Sequence, residues 1–224
     1  MADGAGIAAL AIREMARRPA RLLNVSPLSV AAGGVLEGSS VAKTWTHPNL
    51  GEFTFDGLDW VKLVDVPAFG VFSYDTGHSN APRSTGRHTL AIETDGADQP
   101  PSPTAIALAE RVLANQARLA VKVKNALWDD LNGRGPETGM WWHGDLNQVA
   151  QLTAASGPPR SADDLGELMQ LSQIRACQDM NGNLSVELSF HAAFEQEHGV
   201  AFLTDGESIL GIGYSADVTP FEID

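Results

Sequence analysis

Between Ser102 and Leu131 the chain carries a sustained helical period, with strand-like texture on either side. Ile106, Ala109, Val112, Leu113, Gln116, Leu119, Ala120, Val123, Leu127 and Leu131 recur every three or four residues, which lines one face of a single long helix. Ser102 suits its N-cap and Pro103 its first turn, where a missing N–H costs nothing. The other face holds Glu110, Arg111, Arg118, Lys122 and Lys124, as a solvated face should. An apolar stripe of this length must be buried, and the flanking strands supply the sheet to bury it against.

Upstream, Phe53 and Phe55 alternate with Glu52, Thr54 and Asp56, the pattern of a half-buried strand. Asp56-Gly57 marks a turn, Trp60 to Val66 the next strand, and Phe69–Tyr74 and Thr89–Thr94 are expected to complete an antiparallel meander. A polar loop from Asp75 to Arg87 separates the last two. Downstream, Leu168–Cys177 should pair with Asn183–His191 through Asn181-Gly182, and Val200–Thr204 with Ser208–Tyr214 through Asp205-Gly206. The expected fold is α+β: a mostly antiparallel sheet, or sheets, formed by an N-terminal meander and a C-terminal four-stranded meander, packed on one long central helix.

Residues 1–43 read differently. They are rich in Ala, Gly, Ser and Arg and predict a poorly ordered or loosely attached extension before a single domain over 44–224. Arg17-Arg18 ahead of an apolar stretch faintly resembles a twin-arginine export signal, but Pro19, Arg21 and Pro27 interrupt it. The cytoplasm is the expected location. No apolar run is long enough for a spanning helix, so no membrane partner is expected.

The 224 residues carry a formal charge of −13, unevenly placed. From Ala176 to the C-terminus there are nine acidic residues and no Lys or Arg. Affinity for phosphate backbones comes from basic side chains, so nucleic acid is disfavoured, whereas a basic protein such as a toxin would be steered to such a surface. The single cysteine, Cys177, rules out an internal disulfide within one chain and a cysteine-based zinc site.

Two clusters could carry function. Met140-Trp141-Trp142-His143-Gly144-Asp145 places two tryptophans beside ionisable side chains, a composition seen in recognition loops. The plainer reading packs one tryptophan against the end of the helix and lets the other cover it. The second cluster is Glu195, Glu197 and His198, wedged between strands. In a regular strand Glu195 and Glu197 would share a face and His198 would point away, so a metal site or an acid–base hydrolase would need groups from elsewhere, such as His143 or Asp145. The alternative is a structural corner in which Glu197 and His198 bond to backbone and Gly199 supplies a positive φ. Gly-x-Ser-x-Gly is absent, Gly211-Ile-Gly213 is too short for a dinucleotide fingerprint, and no cofactor is expected.

Leu188-Ser-Phe190-His-Ala-Ala-Phe194-Glu195-Gln196-Glu197-His198-Gly199-Val200-Ala201, followed by Ile209-Leu-Gly211, resembles a bacterial domain family of unknown function with the approximate signature Trp-Asp-x-Glu-His-Gly-Leu-Gly. Phe194, Glu195 and Ala201 replace the usual Trp, Asp and Gly. The Ser102-Pro103-Thr104 helix start, Gln116 and Asp164-Leu165 also look like that family. Some members lie near toxin-immunity loci, so the resemblance implies a non-enzymatic, immunity-like protein-binding role; Phe194, Gly199 and Gly211 would be its structural signature, with no catalytic residues implied.

Overall fold

The computed structural model describes residues 43–75, 86–94, 99–154, 157–178, 182–215 and 217–221. Clustering of contacts divides the chain into Met1–Ser40 and Val41–Asp224. The N-terminal extension expected over 1–43 lies outside the described residues except for Lys43, whose carbonyl accepts from Phe55 N at 2.9 Å, and the second unit holds everything below.

The described residues form an eight-stranded sheet whose spatial order follows the sequence: β1 (Thr44–His47), β2 (Gly51–Phe55), β3 (Asp59–Asp65), β4 (Arg87–Glu93), β5 (Met169–Gln178), β6 (Leu184–Ala192), β7 (Glu195–Thr204) and β8 (Ile209–Gly213). Neighbours are antiparallel except β4 and β5, which run parallel with Thr89 opposite Gln173 and Ile92 opposite Ala176. A parallel pair needs a crossover, and here it is the helical part of the chain. Two antiparallel four-stranded meanders are thus joined edge to edge, with the helices between them in sequence. The α+β expectation holds.

Strand β2 is buried on one face, whereas β6 and the second half of β7 are buried over consecutive residues. Trp60 and Val64 of β3, Leu90 and Ile92 of β4, Ile174 and Ala176 of β5, Val186, Leu188 and Phe190 of β6, and Val200 and Phe202 of β7 join one core with the helical stripe. Phe190, Phe72 and Phe202 meet edge-on, Phe190 lying 4.9 Å from Phe72 and 5.6 Å from Phe202. Off the core side, Arg175 bonds Asp59 at 2.8 Å and Glu93 at 3.4 Å, tying β3, β4 and β5 together. The Asp59 carboxylate beside it favours the charged guanidinium and raises its pKa.

Three details differ from the sequence expectation. The long helix is two helices, α1 (Pro103–Ala114) and α2 (Gln116–Leu131), separated by Asn115 at φ −99° and ψ 10°. Asn115 Nδ2 donates to the Gly206 carbonyl and Gln116 Oε1 accepts from Ala68 N, so distant backbone holds the break. Phe69–Tyr74 is not a strand. Pro67–Val71 forms a 3-10 turn that folds Phe69 and Phe72 into the core, and Tyr74 N donates to the Met169 carbonyl. The C-terminal hairpins have longer connections than two-residue turns: Gln178 pairs with Leu184 and Thr204 with Ile209, and Asp205 Oδ1 accepts from the backbone N–H of Glu207 and Ser208. Residues 179–181 lie outside the described residues.

Candidate functional site

The two clusters singled out in the sequence meet in space at the end of α2. Asp130 on its last turn is 2% exposed and acts as the hub. Its carboxylate accepts from Trp142 Nε1 at 2.8 Å and Thr138 Oγ1 at 3.0 Å, and lies 2.6 Å from His143 Nδ1. The Asp130 carbonyl also accepts from Gly133 N and Gly144 N, both at 2.9 Å, so the loop after the helix closes on one residue. Trp142 is fully buried by this arrangement. Asp145 serves the next element: it caps α3 (Leu146–Leu152) by accepting from Gln148 N.

Trp141 reaches the other way. Its ring stands edge-on to Trp142 at 5.8 Å and to Phe194 at 6.3 Å, and its Nε1 donates to Glu195 Oε2 at 2.9 Å. Phe194 sits in the turn between β6 and β7, is 5% exposed and meets Trp142 edge-on at 5.8 Å. The plainer reading of the tryptophan pair therefore describes the geometry well: one ring is anchored under the helix end and the other lies over it.

The strand between Glu195 and Val200 is not regular. Ala192 pairs with Glu195 and Phe190 with Val200, so β7 spends more residues than β6 over the same span and bulges. Gly199 takes φ +70°, and a Cβ there would stand 2.4 Å from the Phe190 carbonyl oxygen. The bulge scatters the ionisable groups. Glu195 turns inward and accepts from His198 N at 3.1 Å as well as from Trp141, while the Glu197 side chain is 84% exposed. The expectation that Glu195 and Glu197 share a face is thus overturned, because it assumed an unbroken two-residue alternation. The backbone bond expected of Glu197 or His198 side chains is made instead by Glu195. His198 is 52% exposed, with its ring 4.9 Å from that of Tyr214 and its Nε2 3.9 Å from Glu197 Oε1. Tyr214 in turn meets Trp142 edge-on at 5.3 Å, so an aromatic row runs from the buried tryptophan to the surface.

Electrostatics match this division. Burial pushes the Glu195 carboxyl up, but the Trp141 N–H and the His198 N–H and ring outweigh it and hold the pKa below the usual value. Burial raises the Tyr214 hydroxyl, and the nearby Glu195 and Glu197 charges raise it further. Gly211 belongs to β8 and is packing: a Cβ there would stand 2.1 Å from the Thr219 carbonyl, where the C-terminal segment crosses the strand.

No protein-family model, curated protein or solved structure matches the chain.

As an acid–base set, Glu195, Glu197 and His198 are poorly disposed. The first accepts from two N–H groups of the site and has the ring nitrogen of His198 3.4 Å away, and the second stands in solvent. Among the described residues no three His, Cys, Asp or Glu side chains gather as metal ligands. Cys177, away from this corner, is pushed up to about 11, first by burial, which leaves a protonated thiol at neutral pH. Among the described residues no helix is long and apolar enough to cross a membrane. Asp130 escaped the sequence reading although the stripe through Val123 and Leu127 reaches 130 as readily as 131; a polar residue on the buried side of a stripe was the available signal.

Proposed function

We propose that this chain is a non-enzymatic, acidic protein-binding module, immunity-like in use, that acts in the cytoplasm by occupying a basic protein such as a toxin. The observation that carries the reading is the division of labour at the site. Its inward carboxylates, Asp130 and Glu195, are filled by the site's own donors, and what is left facing solvent is an aromatic edge with Glu197 beside it. Groups engaged in that way hold a surface in shape; the exposed His198 ring and the half-buried Tyr214 beside the Glu197 charge are left to make contacts.

The charge pattern favours the same class of partner. Glu197, Glu207 and Asp217 are exposed on or beside the last two strands, in a stretch that carries no Lys or Arg. The resemblance of residues 188–201 to a bacterial family with members near toxin-immunity loci supports it by association. The test is to purify the chain with each product encoded beside its gene and measure binding by pull-down and calorimetry. A salt-sensitive complex is expected. Failure to bind any neighbour-encoded product refutes the reading.

A further inference from the structure

We propose that the corner formed by Glu197, His198 and Tyr214 receives an arginine side chain of the partner, its guanidinium lying against the His198–Tyr214 ring pair and paired with the Glu197 carboxylate. This rests on the protein-binding reading above and names the chemistry recognised there.

Some exposed carboxylates elsewhere have cationic company within the chain: Asp65 pairs with Arg87, Asp129 with Arg134 and Asp163 with Lys124. Glu197 has a histidine 3.9 Å away, and the chain after Arg175 offers no Lys or Arg of its own. What distinguishes Glu197 from other exposed acids is the neighbouring ring pair, 4.9 Å between centroids and inclined by 49°. A cation over such rings is attracted by their quadrupole, and a second negative charge, Glu195, lies beneath the same corner.

The wall is also rigid. Tyr214 leans on Trp142, which is fully buried and bonded to Asp130, and His198 N is bonded to Glu195. The Tyr214 ring then has less freedom to lose on docking, which favours binding without new contacts. Arginine suits the site better than lysine because its planar fork both stacks on a ring and pairs with both oxygens of a carboxylate.

The test uses the full chain and three blocked hexapeptides that alternate glycine with arginine, lysine or glutamine, followed by NMR of the aromatic signals at low salt. The arginine peptide should shift the His198 and Tyr214 ring signals and bind more tightly than the lysine peptide, and the glutamine peptide should shift neither. Glu197→Gln and Tyr214→Leu should each weaken the arginine peptide about fivefold, while Glu52→Gln, on β2, leaves it unchanged. Glu197 is exposed, so its variant tests the site without threatening the fold. Equal binding of the lysine and arginine peptides, or unchanged affinity in Glu197→Gln, overturns the proposal. If a neighbour-encoded partner still binds in that case, the corner is wrong and the protein-binding reading survives. If no such partner binds, both fall.

Discussion

Replacing Asp130 with alanine should damage this protein more than any change at the exposed acids. The side chain is 2% exposed and faces three groups: the indole N–H of Trp142, the Thr138 hydroxyl and the His143 ring. Hydrogen bonds to a charged group contribute about 1.5–3 kcal/mol each, and a buried donor left without a partner costs about 1–3 kcal/mol. The indole N–H of Trp142 bears that penalty in full because the residue is fully buried, whereas the His143 side chain, at 16% exposure, can recover water. Against this stands the relief of no longer burying a carboxylate, itself several kcal/mol. The net expectation is a loss of about 2–4 kcal/mol, or roughly 4–16 °C in Tm for a domain of this size. Urea unfolding followed by tryptophan fluorescence, with near-ultraviolet circular dichroism to report the Trp141–Trp142 pair, measures both. Asp130→Asn should also be destabilised, since its amide turns a donor toward donors. An unfolding free energy within about 0.5 kcal/mol of the parent for Asp130→Ala would refute the hub argument.

Three other predictions concern the bulge and pH. Gly199→Ala forces a Cβ to within 2.4 Å of the Phe190 carbonyl at φ +70° and should cost at least about 2 kcal/mol, read as a lowered urea midpoint; an unchanged midpoint removes the geometric reason for that glycine. Burial lowers the pKa of His88, against the Leu171 carbonyl, so the unfolded chain binds the extra proton first and stability should fall as pH drops below 6.5. Glu195 is held below 4.5, so its contribution is present above that value and lost as pH falls through its folded pKa. Denaturation midpoints across pH should show both losses; Glu195→Gln should remove the lower one, and a persisting acid step of the same size would contradict its assignment.

Much of the fold was legible because local patterns and tertiary demands agree. The stripe from Ile106 to Leu131 marks helix on either side of Asn115, the Ser102 cap marks where it starts, and the alternation in β2 marks a strand that forms. What was not legible depends on partners far along the chain. Nothing local marks Asn115 as a break, since the contacts that hold it come from Gly206 and Ala68, 91 and 48 residues from their partners. Phe69–Tyr74 has the texture of a strand, and the choice against it is made by Pro67, Gly70 and a core that needs both phenylalanines on one side.

The site shows the same limit more sharply. Each half was visible as a cluster, but the bond between them, Trp141 to Glu195, spans 54 residues and no spacing rule reaches it. Once that bond is known, the roles of the two glutamates follow. A residue at Glu195 must turn inward to meet the indole, and doing so requires β7 to bulge, which in turn requires glycine at 199 where the chain passes the Phe190 carbonyl. The bulge then carries Glu197 and His198 outward. The Glu-x-Glu-His-Gly run is therefore one mechanical unit, in which the first acid and the glycine set the geometry that displays the second acid and the histidine. On that account substitutions at Glu195 and Gly199 should lower stability, whereas those at the exposed Glu197 and His198 should leave it nearly unchanged, as urea midpoints of the four single variants would show.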